Sequence, residues 1–170
     1  MCIRDRSLGK SLKNIKAETL GSKVVTEAVK RSNLKNNEID EIILGQVLTS
    51  NVGQNPARQA AIGAKIPYDK ISYIVNQVCG SGLRAIVLAY QSLLLDTSKV
   101  IIAGGQESMS MCNKELMMKD GLIDAFNNYH MGVTAENIAD KYKISRLEQD
   151  EFALRSQVKA RTSLELSLIH

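Results

Sequence analysis

The chain has 170 residues, 44% of them hydrophobic, with no Trp, two Phe and a formal net charge of +4. That is enough for one domain, or one domain and the start of a second, with a core that must be built mainly from Ile, Leu, Val and Ala. Apolar runs such as Val100-Ile101-Ile102-Ala103 fall far short of the roughly 18 residues of a membrane span, and Lys and Arg are scattered rather than massed, which excludes a nucleic-acid-binding face.

The first seven residues show neither helical nor strand periodicity, and 166–170 is a short apolar stub. Both resemble translated adaptor sequence, so 1–7 and 166–170 are set aside as suspected non-native ends, and Cys2 and His170 with them. Leu20, Val24, Val25, Ala28 and Val29 recur at helical spacing and predict an amphipathic helix ending near Asn33. A strand of the buried type follows over 41–48, with Ile42, Ile43 and Leu44 consecutive. Asn55-Pro56 opens a second helix, Asn as cap and Pro at the first helical position, which stops before Pro67.

Residues 71–75 read as a second strand, then Asn76-Gln77-Val78-Cys79-Gly80-Ser81-Gly82 leads into a helix over 83–95. This helix is apolar nearly all round, the mark of burial between layers. A third strand is expected over 99–103, broken by Gly104-Gly105. Strands alternating with helices indicate an α/β layered sheet. Beyond about residue 110 the character is helical, with helices over 113–126 and 134–142. Ser145-Arg146-Leu147-Glu148 forms a capping box opening a third.

Cys79 lies just after a strand and just before a helix. Unpaired amides and the macrodipole at a helix N-terminus favour a thiolate, the nucleophilic form. Gly80 and Gly82 allow a tight turn and a close approach by substrate, and the Cys79 N–H would suit the oxygen of a tetrahedral intermediate. Taken alone, this Cys also reads as a small buried hydrophobe, since free Cys is among the most buried residue types. The residues by themselves leave the two readings balanced. The cysteines at positions 2, 79 and 112 have neither disulfide-framework nor metal-ligand spacing. No metal is expected, and the odd cysteine count with no visible secretory signal suggests a reducing cytoplasm.

The segment Asn76-Gln77-Val78-Cys79-Gly80-Ser81-Gly82-Leu83-Arg84-Ala85 resembles the active-site segment of thiolases, the acyl-CoA acetyltransferases. Four further stretches agree, in the family's order: Gly45-Gln46-Val47-Leu48, Gly53-Gln54-Asn55-Pro56-Ala57-Arg58-Gln59-Ala60-Ala61, Ala103-Gly104-Gly105-Gln106-Glu107-Ser108-Met109-Ser110, and Tyr129-His130-Met131-Gly132-Val133-Thr134-Ala135-Glu136-Asn137. The resemblance implies the N-terminal half of a thiolase-like layered fold. A mixed sheet with helices, incomplete and lacking its first strand, would occupy 8–110, with the start of a shortened helical loop domain over 111–165.

By this resemblance Cys79 accepts the acyl group. Leu122 and His130 line the pocket for CoA and acyl-pantetheine, and Met131 shapes a small acyl pocket. His130 has a second reading, a structural histidine satisfied by its neighbours. Gln54, Asn55 and Glu107 fall in family motifs but read as supporting or capping residues, and Cys112 has no family counterpart. The implied substrates are acetyl-CoA and acetoacetyl-CoA, the CoA thioester acting as substrate with no separate cofactor. A homodimer or homotetramer is implied for the full-length protein.

The chain contains none of the family's Asn-Glu-Ala-Phe, Gly-His-Pro or Cys-x-Gly motifs, and the family carries a longer segment between Ser110 and Asn113, including the loop that joins dimers into tetramers. It is therefore expected to be a truncated fragment with little activity of its own, because such residues act as a unit. Rival expectations are a longer-chain 3-ketoacyl-CoA thiolase and a non-catalytic acyl-CoA-binding relative. An intact Cys79 argues against the second.

Overall fold

The computed structural model describes residues 8–166, so the calls on 1–7 and on 167–170 lie outside the described residues. The chain divides into two compact units, one running to Asn113 and the other beginning at Lys114.

The first unit alternates helix and strand. Helix α1 (Ala17–Ser32) ends at Asn33, whose φ of 59° places it in the left-handed region that closes a helix. Strand β1 (Glu41–Gly45) is buried along its whole length. Helix α2 (Pro56–Gly63) starts as its sequence predicts, Asn55 Oδ1 accepting the Arg58 N–H at 2.9 Å. Asn55 Nδ2 also donates to the Ser72 carbonyl at 2.9 Å, tying the cap to β2 (Ile71–Val75). Helix α3 (Ser81–Leu94) and strand β3 (Ile101–Gly105) complete the unit.

The strands pair in the order β2-β1-β3. Both pairings within this sheet are parallel, with Ile43 facing Tyr73 on one side and Ala103 on the other. Side chains of a strand alternate between faces, and the packing follows. Ile42 and Leu44 join Val25, Val29, Ala57, Ala60 and Ala61 beneath α1 and α2. Ile43 packs with Ala85 and Ala89 of α3 on the opposite face. Small residues on the helix faces bring them close to the sheet, which is why a core without Trp suffices.

Four expectations need correction. Strand β1 ends at Gly45 rather than Leu48, because the amides of Val47 and Leu48 turn to the Glu107 carboxylate. Gly104 and Gly105 do not break β3; they are in it, in register with Leu44 and Gly45. Helix α3 begins two residues earlier than predicted and is not buried all round. Only Ser81, Ala85 and Ala89 are buried, while Leu83, Ile86, Tyr90 and Leu94 are exposed. A helix on one face of a sheet has a single covered side, and nothing else in the first unit covers the other.

In the second unit α4 (Lys114–Gly121) is shorter than predicted and α5 (Met131–Tyr142) begins earlier. His130 caps α5 and so opens it three residues early, and a turn at Asp124 occupies the end of the predicted α4 span. Asp124 Oδ1 accepts the N–H groups of Phe126 (3.0 Å) and Asn127 (2.6 Å), building this turn. Helix α6 (Arg146–Glu165) opens with the predicted capping box of Ser145 and Glu148. No helix among the described residues is long and apolar enough to cross a membrane.

Candidate active site

All three strands are parallel, so their C-terminal ends share one edge of the sheet. From that edge β1 leads to α2 on one face, and β2 leads to α3 on the other. Adjacent strands whose connections leave in opposite directions open a crevice between them, the usual ligand position of an open α/β sheet. The turn 76–80 leaves β2 at this point, and Cys79 is exposed on it.

The turn is closed by its own residues. The Gly80 N–H donates to the Gln77 carbonyl at 3.0 Å and the Ser81 N–H to the Val78 carbonyl at 3.1 Å. The buried Ser81 Oγ accepts the Gln77 N–H at 2.9 Å and donates to the Val78 carbonyl at 2.5 Å. Val78 pays the conformational cost, with a φ of 48°. A β-branched residue in the left-handed region is strained by about 1–3 kcal/mol, and such strain persists only where the surroundings over-determine it. Cys79 follows directly, immediately before the Gly80 cap of α3. Amides of the first helical turn have no partner within the helix and carry the positive end of its dipole.

Glycines bring this helix end onto the sheet. A β-carbon at Gly45, the last residue of β1, would stand 2.5 Å from both the Gly82 nitrogen and the Ser81 carbonyl carbon. One at Gly105 would stand 3.2 Å from the Gly45 carbonyl oxygen. Gly105, half of the pair read as a strand breaker in the sequence, therefore serves close packing beneath the cysteine turn, whereas a β-carbon at Gly104 would meet nothing within 4 Å.

Two acidic and amide groups behind the turn complete the edge. Glu107 accepts the Val47 N–H at 2.8 Å and the Leu48 N–H at 3.3 Å. Burial pushes its carboxyl above the usual carboxylate range, against the opposing pull of the Val47, Leu48 and Ser108 amides. Gln106 is buried and donates through Nε2 to Gln46 Oε1 at 2.8 Å. Its Oε1 lies against α1 where a β-carbon at Gly21 would come within 1.7 Å. The sequence reading missed Gln106, though the signal was present: a glycine inside a helical pattern marks a close approach. The remaining motif residue, Gln54, is exposed.

The other candidate residues lie in the second unit. Ile123 and His130 form an antiparallel bridge, and the Met131 N–H donates to the Leu122 carbonyl at 2.9 Å. Leu122, His130 and Met131 are thus neighbours, brought together by the Asp124 turn. His130 caps α5, Nδ1 accepting the Gly132 N–H at 3.0 Å. An accepting Nδ1 leaves the neutral ring's proton on Nε2. His130 and Met131 are both exposed. Cys112 donates through Sγ to the Met109 carbonyl at 3.0 Å. Among the described residues no group of three or more His, Cys, Asp or Glu is placed to hold a metal ion.

The sequence profile described as "Thiolase, N-terminal domain" matches residues 4–116 and 111–167. The chain is 48% identical to an acetyl-CoA acetyltransferase of Paracoccus denitrificans over 88% of its own length and 42% of that protein. It is 48% identical to an acetyl-CoA acetyltransferase of Rhizobium meliloti (strain 1021), covering 86% of this chain and 42% of the relative. A probable acetyl-CoA acyltransferase of Staphylococcus epidermidis is also 48% identical, over 89% and 43%. The chain therefore spans less than half the length of these relatives, in their N-terminal half.

Proposed function

Because the chain belongs to the thiolase family, matching its N-terminal domain along nearly all its length, we propose that Cys79 is the acyl-accepting nucleophile of an acetyl-CoA acetyltransferase. The observation that carries this reading is the strained turn at the sheet's C-terminal edge, with Cys79 exposed at the foot of α3. Strain stored beside an exposed thiol at a helix N-terminus is spent to aim a nucleophile, as in other strand-to-helix elbows. The relatives' names supply the substrate class.

In the first step the Cys79 thiolate adds to the thioester carbonyl of acetyl-CoA, and the bond from that carbon to the CoA sulfur breaks. CoA leaves as a thiolate and takes the proton that Cys79 gave up, leaving acetyl-Cys79. In the second step a base removes a proton from the methyl group of another acetyl-CoA. The resulting carbanion attacks acetyl-Cys79, the carbon–sulfur bond to Cys79 breaks, and acetoacetyl-CoA departs as the cysteine recovers a proton. Thiolysis is the same sequence reversed. The Cys79 N–H is suited to hold the oxyanion in either step.

Leu122, His130 and Met131 are the residues of the second unit that we assign to the pantetheine and acyl portions of the substrate. Their adjacency across one bridge supports this. The base of the second step falls in none of the motifs this chain contains, so the 170 residues alone are expected to acylate slowly and to turn over poorly. In the full-length protein we assign the reaction to a homodimer or homotetramer.

The test is peptide mass spectrometry after incubation with acetyl-CoA. One acetyl group on the Cys79 peptide, lost in Cys79→Ala, is the expected result. Acetylation that is fast and persists elsewhere in Cys79→Ser removes Cys79 from the role. A longer acyl substrate is the second reading, left open by the Staphylococcus epidermidis relative, whose description as a probable acetyl-CoA acyltransferase names no acyl-chain length. Faster labelling by hexanoyl-CoA than by acetyl-CoA would select it.

A further inference from the structure

The loops leaving the three strands are joined by two side chains that do not reach the thiol. Glu107, after β3, holds the amides of Val47 and Leu48, which follow β1. The carbonyl of the same Val47 accepts from Asn76 Nδ2 at 3.2 Å, the first residue after β2. Asn76 Oδ1 in turn accepts the Val78 N–H at 2.9 Å. A continuous path therefore runs from the Glu107 carboxylate through the Val47–Leu48 peptide group and the Asn76 amide to the N–H of Val78. The peptide group joining Val47 and Leu48 donates its N–H to the carboxylate on one side and accepts from Asn76 on its carbonyl, an arrangement in which each bond strengthens the next.

Val78 is the residue this path reaches, and it needs holding. Its carbonyl is gripped twice by Ser81, through backbone and hydroxyl. Ser81 belongs to α3 and moves with that helix, whereas the Asn76 path anchors the other side of the Val78 residue to the sheet. With one grip removed, a valine at positive φ relaxes toward the ordinary region, and the residue after it swings.

We propose that Asn76 and Glu107 are positioning residues for Cys79, locking the left-handed Val78 turn to the sheet edge so that the thiol keeps one direction. The assignment deepens the nucleophile reading above and rests on it. Neither residue touches the acyl group. The half-buried Glu107 carboxyl is otherwise an expensive way to satisfy two amides, and this role accounts for it.

The test uses the 170-residue chain and follows modification of Cys79 by acetyl-CoA and by iodoacetamide, peptide by peptide, with Cys112 as internal reference and the denaturant midpoint recorded for each variant. Asn76→Ala and Glu107→Ala are expected to slow acetylation of Cys79 on the order of ten- to a hundredfold relative to Cys112. Iodoacetamide modification should fall less but in the same direction. Glu107→Gln keeps an acceptor for the Val47 amide and should restore most of the rate at a similar midpoint. Asn76→Ser keeps a local acceptor for Val78 but cannot reach the Val47 carbonyl, so it should remain slow. If an alanine variant does not fold, the serine and glutamine variants decide between them. A Cys79 to Cys112 ratio unchanged in Asn76→Ser and Glu107→Ala, with both reagents, overturns the assignment. Should acetyl-CoA fail to label the unaltered chain while iodoacetamide still shows the predicted order, the acyl-transfer reading fails and the positioning role stands.

Discussion

Gly45 and Gly82 meet where the end of the central strand touches the first turn of α3: a β-carbon on Gly45 would stand 2.5 Å from the Gly82 nitrogen. The obstruction is backbone on a buried helix start, so no side chain can rotate aside. Gly45→Ala is expected to cost about 3 kcal/mol or more, the upper range for overpacking. It should also slow Cys79 acetylation, because the helix end must retreat from the sheet. Urea titration and peptide labelling read the two effects, and a fully stable Gly45→Ala with unchanged labelling would sink this account of the glycine.

Val78→Gly relieves about 1–3 kcal/mol of left-handed strain and loses about 0.5–1 kcal/mol to chain entropy. The side chain is more than half exposed, so little burial is forfeited. The variant should therefore be more stable by roughly 1 kcal/mol. It should acetylate more slowly, since a glycine turn is free to leave the geometry that valine is held in. Loss of stability together with faster labelling is the result that contradicts the strain argument.

Burial holds the Glu107 carboxyl above its ordinary value of 4.5. An acid raised in the folded state binds its proton more tightly there than in the unfolded chain. Its contribution to stability is present below the unfolded value and is lost as pH rises through the folded one. Glu107→Gln cannot titrate. Across about pH 4 to about pH 8 the unaltered chain should lose stability relative to Glu107→Gln, the difference levelling off above the raised value. Denaturant midpoints at each pH measure it, and a difference that grows toward acid in the opposite sense would show the carboxylate to be net stabilised.

Helix α3 shows solvent a seam of Leu83, Ile86, Val87, Tyr90, Leu93 and Leu94. Contiguous apolar surface of this kind binds hydrophobic dyes and promotes association. Tyr90→Lys with Leu94→Lys should cut dye fluorescence several-fold and raise solubility while leaving the midpoint nearly unchanged, because neither side chain packs on the sheet. Dye binding that survives both substitutions places the exposed surface elsewhere.

Much of the architecture was legible in the chain. The Asn55 cap, the Ser145 capping box and the helical stripe ending near Asn33 are local signals, and each element formed where they lie. The consecutive Ile42-Ile43-Leu44 announced a strand covered on both faces, and it is the buried centre of the sheet. Cys79 between a strand and a helix was likewise readable, because chain order alone places it there.

What the chain could not state by itself are relations between distant segments. Gly104 and Gly105 carry a breaker's local preference, yet pairing with β1 keeps both in β3, and Gly105 packs closely on Gly45 at the sheet edge. The apolar α3 looks buried by composition, but one sheet face covers only one side of a helix. Nothing in the residue type of Val78 predicts a positive φ, which arises from Asn76 and Ser81 gripping it from two directions. Glu107 reaches Val47 across 60 positions of sequence. Periodicity and capping report what a residue does with its near neighbours, and so the elements and the place of Cys79 were determined by sequence. The strain at Val78 beside Cys79 and the network that holds it were decided by tertiary packing, because only pairing of parallel strands brings their C-terminal loops to one edge.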